Sequence, residues 1–151
     1  MPYLRLLLIS LVMISAVSSG AQHKPAHSPK YRLYLIGDAG AAAGSASLDM
    51  LKLKLAAEGK NAGVIFLGDN IYNRGMPLVG DKNRLEAEKI IDTQINTVKN
   101  FKGDVFFIPG NHDWDNGKKE GWDRIREQEA YIENRLDSAD VFLPSNGCPG
   151  P

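Results

Sequence analysis

The chain has one cysteine among its 151 residues. Cys148 therefore has no internal partner, and a disulfide framework is excluded. It stays a free thiol unless it pairs outside this stretch. Histidine is nearly as scarce: there are three, and His23 and His27 precede the first predicted strand. Pro25 between those two argues against a shared helix face, which leaves His112 as the single imidazole in the body of the chain. Charge of one sign is also missing, with 18 basic and 18 acidic side chains. That balance does not favour a polyanionic partner, so no nucleic acid is expected. No apolar run reaches the roughly 20 residues that cross a bilayer. Internal repeats and low-complexity segments are absent.

The apolar run that does exist, Leu6 to Val17, follows the positive Arg5 and has the length of a secretory h-region. Ser19 and Ala21 are small residues at the −3 and −1 positions, so cleavage is predicted before Gln22. An uncleaved membrane anchor is the alternative. No cysteine follows the h-region, which excludes a lipoprotein site. The predicted organisation is a signal peptide at 1–21, a flexible leader at 22–30 and a body at 31–151. The mature chain of about 130 residues is one domain in size, exported to the periplasm or secreted, with no stable membrane span.

From Tyr31 onward strands and helices alternate. Strands are predicted at 31–36, 63–67 and 104–108, with Val141 to Leu143 as a short fourth. Helices are predicted at about 48–58, 82–101 and 122–136. Ser47 and Asp81 are the expected N-caps of the first two, and Gly59 is the expected C-terminal stop of the first. The buried helix stripes are Leu48, Leu51 and Leu55; Ile91, Ile95, Val98 and Phe101; and Ile125, Ile132 and Leu136. Alternation of this kind implies parallel strands joined by right-handed crossovers. Strands two and three are apolar at successive positions, which predicts burial on both faces. The fold class is therefore α/β, with three βα units.

Each strand ends in a turn that carries oxygen or nitrogen donors: Gly37-Asp38-Ala39-Gly40, Gly68-Asp69-Asn70-Ile71-Tyr72 and Gly110-Asn111-His112-Asp113. The C-terminal edge of a parallel sheet is where ligands bind. Asp38 and Asp69 are hard anionic donors for a divalent or trivalent ion, and Asp69 can bridge two ions through its two oxygens. Asn111 can coordinate through its amide oxygen. Tyr72 can turn back to offer a phenolate to a strongly acidic ion such as ferric iron. His112 suits protonation of a leaving group, with Asp113 orienting or charge-stabilising its ring. Taken singly, each has an ordinary reading: a turn or cap for Asp38, a histidine satisfying a carbonyl, and a loop aromatic packed on the core for Tyr72. Their occurrence in order, each just after an apolar strand, favours a metal site.

These three blocks resemble the first signature blocks of the calcineurin-like metallophosphoesterases, and Tyr72 is similar to the tyrosine of the purple acid phosphatase branch. The resemblance runs from about Tyr31 to Asp113. It implies the N-terminal half of a four-layer α/β/β/α sandwich. It implies two metal ions, iron with zinc, manganese or a second iron. One ion would be bound by Asp38, Asp69 and Tyr72, and Asp69 would bridge to a second that takes Asn111. His112 would be the residue that protonates the leaving group, with a small phosphate ester as substrate.

That family also has two later histidine blocks, which this chain lacks. The expectation is that sequence beyond Pro151 completes the fold and both metal shells, and that the 151 residues alone are inactive or nearly so. The expected activity of the complete protein is acid-phosphatase-like hydrolysis of monoesters. Two ions about 3.5–4 Å apart would lower the pKa of water toward about 7. A phosphodiesterase on the same centre, or a secreted binding domain with a structural cation, are the alternatives.

Overall fold

In the computed structural model the chain is described over residues 30–42 and 46–145. The predicted signal peptide, the leader as far as Pro29 and Cys148 lie outside them. Three strands, β1 (Arg32–Ile36), β2 (Ala62–Phe66) and β3 (Asp104–Phe107), form one parallel sheet in the order β1-β2-β3. The helices are α1 (Ala46–Ala56), α2 (Arg84–Val98) and α3 (Gly121–Leu136). The predicted fourth strand shrinks to a single parallel bridge, Phe142 to Phe107, on the outer edge of β3. Among the described residues no helix is long and apolar enough to cross a membrane.

Sequential strand order with right-handed crossovers puts successive helices on the same side of the sheet. Consistent with this, α1 packs on α2 and α2 on α3. The inward-facing strand residues Val64, Phe66 and Phe107 are fully buried against Leu48, Leu55, Ile91, Ile95, Ile125 and Ile132. Phe66 and Phe107 are register partners whose rings stack with centroids 4.3 Å apart. Such a pair adds about 0.5–1.5 kcal/mol beyond its buried area.

The other face is more open, and the burial on both faces expected of strands two and three is only partial at Ile65 and Phe106. Leu33 and Leu35 of β1 are 53% and 58% exposed. Their neighbours across the ladder, Ile65 and Phe106, are half-buried. The reason is topological, because every helix in the described chain lies against the opposite face. At the N-terminal end of the open face, Tyr31 reaches across Gly63 to donate a hydrogen bond to Asp104 Oδ2 (2.5 Å).

The caps differ from those predicted. Helix α1 begins at Ala46, so Ser47 lies inside its first turn. It closes through tight bonds from Ala57 N to Lys54 O and Glu58 N to Leu55 O, and Gly59 does not adopt a positive φ. Asn83 precedes α2, while Asp81 holds the turn just before it, accepting from Asn83 N through Oδ1 (2.7 Å) and from Arg84 N through its carbonyl (3.0 Å).

Candidate metal and phosphoester site

The strand ladders run up to the turns: Leu67 N donates to Ile36 O (2.8 Å) and Ile108 N to Phe66 O (2.9 Å). The turns then bond to one another. Asp38 N donates to Gly68 O (3.1 Å) and Gly40 N to Asp69 O (2.9 Å). Two glycines allow this approach. A Cβ on Gly40 would meet the Asn70 carbonyl carbon and oxygen at 2.5 Å, and one on Gly110 would collide with the backbone nitrogen and carboxylate of Asp69. Asp38 and Asp69 both have left-handed backbone, with φ of 55° and 52°. Aspartate tolerates that region better than most residues.

The first two turns place their carboxylates together. The Tyr72 hydroxyl lies 2.5 Å from Asp38 Oδ1 and 3.0 Å from Asp69 Oδ2. Asp69 Oδ1 accepts from the backbone N–H of His112 (3.0 Å). Bonding to Asp38 first, then burial and the bond to Asp69, raises the Tyr72 phenol above its ordinary pKa. The His112 ring packs on Tyr72 with centroids 4.4 Å apart, and its Nδ1 lies 2.9 Å from Asn73 O. A carbonyl can only accept, so Nδ1 carries the proton and Nε2 is left for another partner.

Asn111 is on the same edge, outside the group formed by Asp38, Asp69 and Tyr72. Its amide nitrogen donates to Asn116 Oδ1 (2.8 Å), which leaves its own Oδ1 as an acceptor. Among the described residues no three His, Cys, Asp or Glu side chains cluster as a metal cage. The convergent donors here are two aspartates and a tyrosine.

Asp113 does not orient the His112 ring as expected. Its fully buried carboxylate accepts from the backbone N–H groups of Gly110 (2.8 Å), Asn70 (3.1 Å) and Ile71 (3.0 Å). It clasps the second turn to the third, and the ring's orienting partner is Asn73 instead. Desolvation pushes Asp113 up to about 6, against the three N–H bonds that favour its anion.

Other residues of the site carry no local sequence signal. Buried Gln94 of α2 donates to Asn70 O (2.8 Å), and Asn70 Nδ2 donates to Ile108 O (2.9 Å). Arg74 forms a fork with the fully buried Asp115, from Nε to Oδ1 (2.8 Å) and from Nη2 to Oδ2 (2.7 Å).

With this geometry in place, residues 31–148 match the family model of the calcineurin-like phosphoesterases. The chain belongs to that family. No curated protein and no solved structure gives a significant match. Three parallel βα units in one sheet are consistent with the N-terminal half of the family fold, whose chemistry is phosphoester hydrolysis at a dinuclear metal centre. The residues present suit a cation. Two carboxylates share one phenol, and among the described residues their partners in the site are neutral donors. Anions held this close favour a positive charge between them.

Proposed function

We propose that the protein is an exported, metal-dependent phosphomonoesterase of the purple acid phosphatase type. The observation that carries this reading is the Tyr72 hydroxyl between Asp38 and Asp69. A phenol placed there serves either as a hydrogen-bond donor or, once deprotonated, as a ligand beside two carboxylates. A phenolate ligand favours a strongly acidic ion, since such an ion displaces the phenol proton near neutrality. Ferric iron fits this role, with zinc, manganese or a second iron as the companion ion.

Asp38, Asp69 and Tyr72 would hold one ion, and Asp69 with the Asn111 amide oxygen the other. When bound, the centre supplies Lewis acidity toward the ester and a nucleophile at neutral pH. The chain's own residues do the rest. His112, with Nδ1 bonded to Asn73 O, presents Nε2 as the nitrogen that holds and delivers a proton to the departing alkoxide. The Tyr72 ring limits the tilt of that imidazole. Asp113 and Gln94 keep the Asn70 segment, and so Asp69, in place.

The test is hydrolysis by the complete protein, loaded with iron and zinc, of an aryl phosphate monoester and the matching diester. Faster turnover of the monoester supports the reading, as does its loss on changing His112→Gln. A folded, metal-loaded protein that cleaves neither ester is a binding domain with a structural cation, and the enzymatic reading would then be wrong.

A further inference from the structure

Arg74 lies outside every motif in the sequence, yet its guanidinium closes a loop of contacts that begins and ends on His112. The His112 ring bonds through Nδ1 to Asn73 O (2.9 Å). Arg74, the next residue, makes its two-pronged bond to Asp115 at 2.8 and 2.7 Å. Asp115 in turn donates its backbone N–H to His112 O (2.9 Å). The ring and the backbone of one residue are thus tied to the two ends of a single ion pair.

We infer that Arg74 is a positioning residue, and that its fork to Asp115 holds the Asn73 carbonyl against the His112 ring so that Nε2 faces the opening. This rests on the role given to His112 above. The anchor end is rigid. Asp115 is fully buried, and its turn is closed by Asn116 N to Asn111 O (2.8 Å) and by Asn111 Nδ2 to Asn116 Oδ1 (2.8 Å). The other end is a loop whose next residue, the buried Gly75, donates to Ile71 O (3.1 Å). A guanidinium suits this task because its planar N–H pair fixes direction as well as distance, which a lysine ammonium cannot do. An exposed ion pair would contribute little, but here the carboxylate partner has no exposure at all. Lys118 and Arg124 also approach Asp115, at 3.7 and 3.9 Å, so weakening the fork does not leave the buried carboxylate without a cation.

The test uses the full chain labelled with ¹⁵N-histidine, at about pH 8 where an ordinary imidazole is neutral. Ring resonances are assigned to His112 by their loss in His112→Gln. The unsubstituted protein should show the Nδ1-protonated tautomer with a slowly exchanging ring proton. Arg74→Lys retains a cation and Asp115→Asn retains the shape, and a dispersed amide spectrum confirms that each variant is folded. In both, exchange of the ring proton should accelerate more than about tenfold and the tautomer signature should weaken. A purely structural ion pair would lower the melting temperature and leave the ring unchanged. Acceleration below tenfold in both folded variants overturns the inference. Neither readout requires metal or turnover. Absence of hydrolysis by the complete protein with a responsive ring therefore counts against the phosphatase reading alone, and hydrolysis with an unresponsive ring counts against the tether alone.

Discussion

The hydroxyl of Tyr72 donates to Asp38 at 2.5 Å although the two residues are 34 positions apart, and it reaches Asp69 at 3.0 Å from the same atom. One phenol therefore reports on both aspartates. The protein loaded with ferric iron should show a visible tyrosinate-to-iron band that disappears in Tyr72→Phe. Absorption spectra of the two proteins at equal iron content provide the check, and a band that survives removes Tyr72 from the ligand set.

Asp113 should give the metal-free chain an unusual pH dependence. Its folded pKa of about 6 lies above the usual carboxylate range, so the folded state binds more protons than the unfolded state between about pH 4 and pH 6. Stability from this group therefore rises as pH falls through that window, by about 3 kcal/mol at most. Below about pH 4 the trend reverses. There Glu58, held low by Tyr34 and Arg32, and Asp115, held low by Arg74, lose their favourable ionised forms. The urea midpoint of the parent chain should fall relative to that of Asp113→Asn from pH 4 to pH 7, and a constant difference would contradict the assignment.

Gly110→Ala should disturb the site more than its size suggests, because the new methyl group would lie well within 3.0 Å of Asp69's backbone nitrogen and Oδ1. Overpacking of this kind costs about 1–3 kcal/mol. Loss of orientation beside a ligand lowers metal affinity by about 10–100-fold. Calorimetric titration with zinc, alongside a melting curve, measures both effects.

The open sheet face should make the 151-residue chain adhesive. Leu33 and Leu35 lie on it with more than half their surface in water, next to Ile65 and Phe106. Burying a leucine is worth about 1.5–3 kcal/mol, so this face favours any cover it can find. The parent chain should bind a hydrophobic dye and associate as concentration rises, and Leu35→Lys should reduce both. A parent chain that stays monomeric and binds little dye would contradict this.

Much of the fold was legible because it depends on periodicity. The stripes through Leu48, Leu51 and Leu55 and through Ile91, Ile95 and Val98 are buried as their spacing predicts. The convergence of Asp38, Asp69 and Tyr72 was legible too, since three apolar strands each end in a donor-bearing turn. What remained hidden depends on long-range geometry. Nothing local marks Asp115 as the partner of Arg74, 41 residues away, or Gln94 as the support of Asn70. Adjacency in sequence pairs Asp113 with His112, whereas burial directs its carboxylate to three backbone N–H groups on two turns. Helix ends are less legible, because side-chain and backbone bonds compete there: Ser47 lies inside α1, and Asp81 caps the turn that leads into α2.

The left-handed backbone at Asp38 and Asp69 determines which substitutions can isolate chemistry from conformation. Alanine at either position removes a carboxylate and also puts a methyl-bearing residue where φ is positive, a conformational cost of about 1–3 kcal/mol. Asparagine shares aspartate's tolerance of that region and removes only the charge. Activity or metal affinity lost in Asp38→Ala but retained in Asp38→Asn therefore belongs to the turn, and only loss common to both belongs to the anion. The same pair of variants at Asp69 gives an independent reading, and the two positions need not agree.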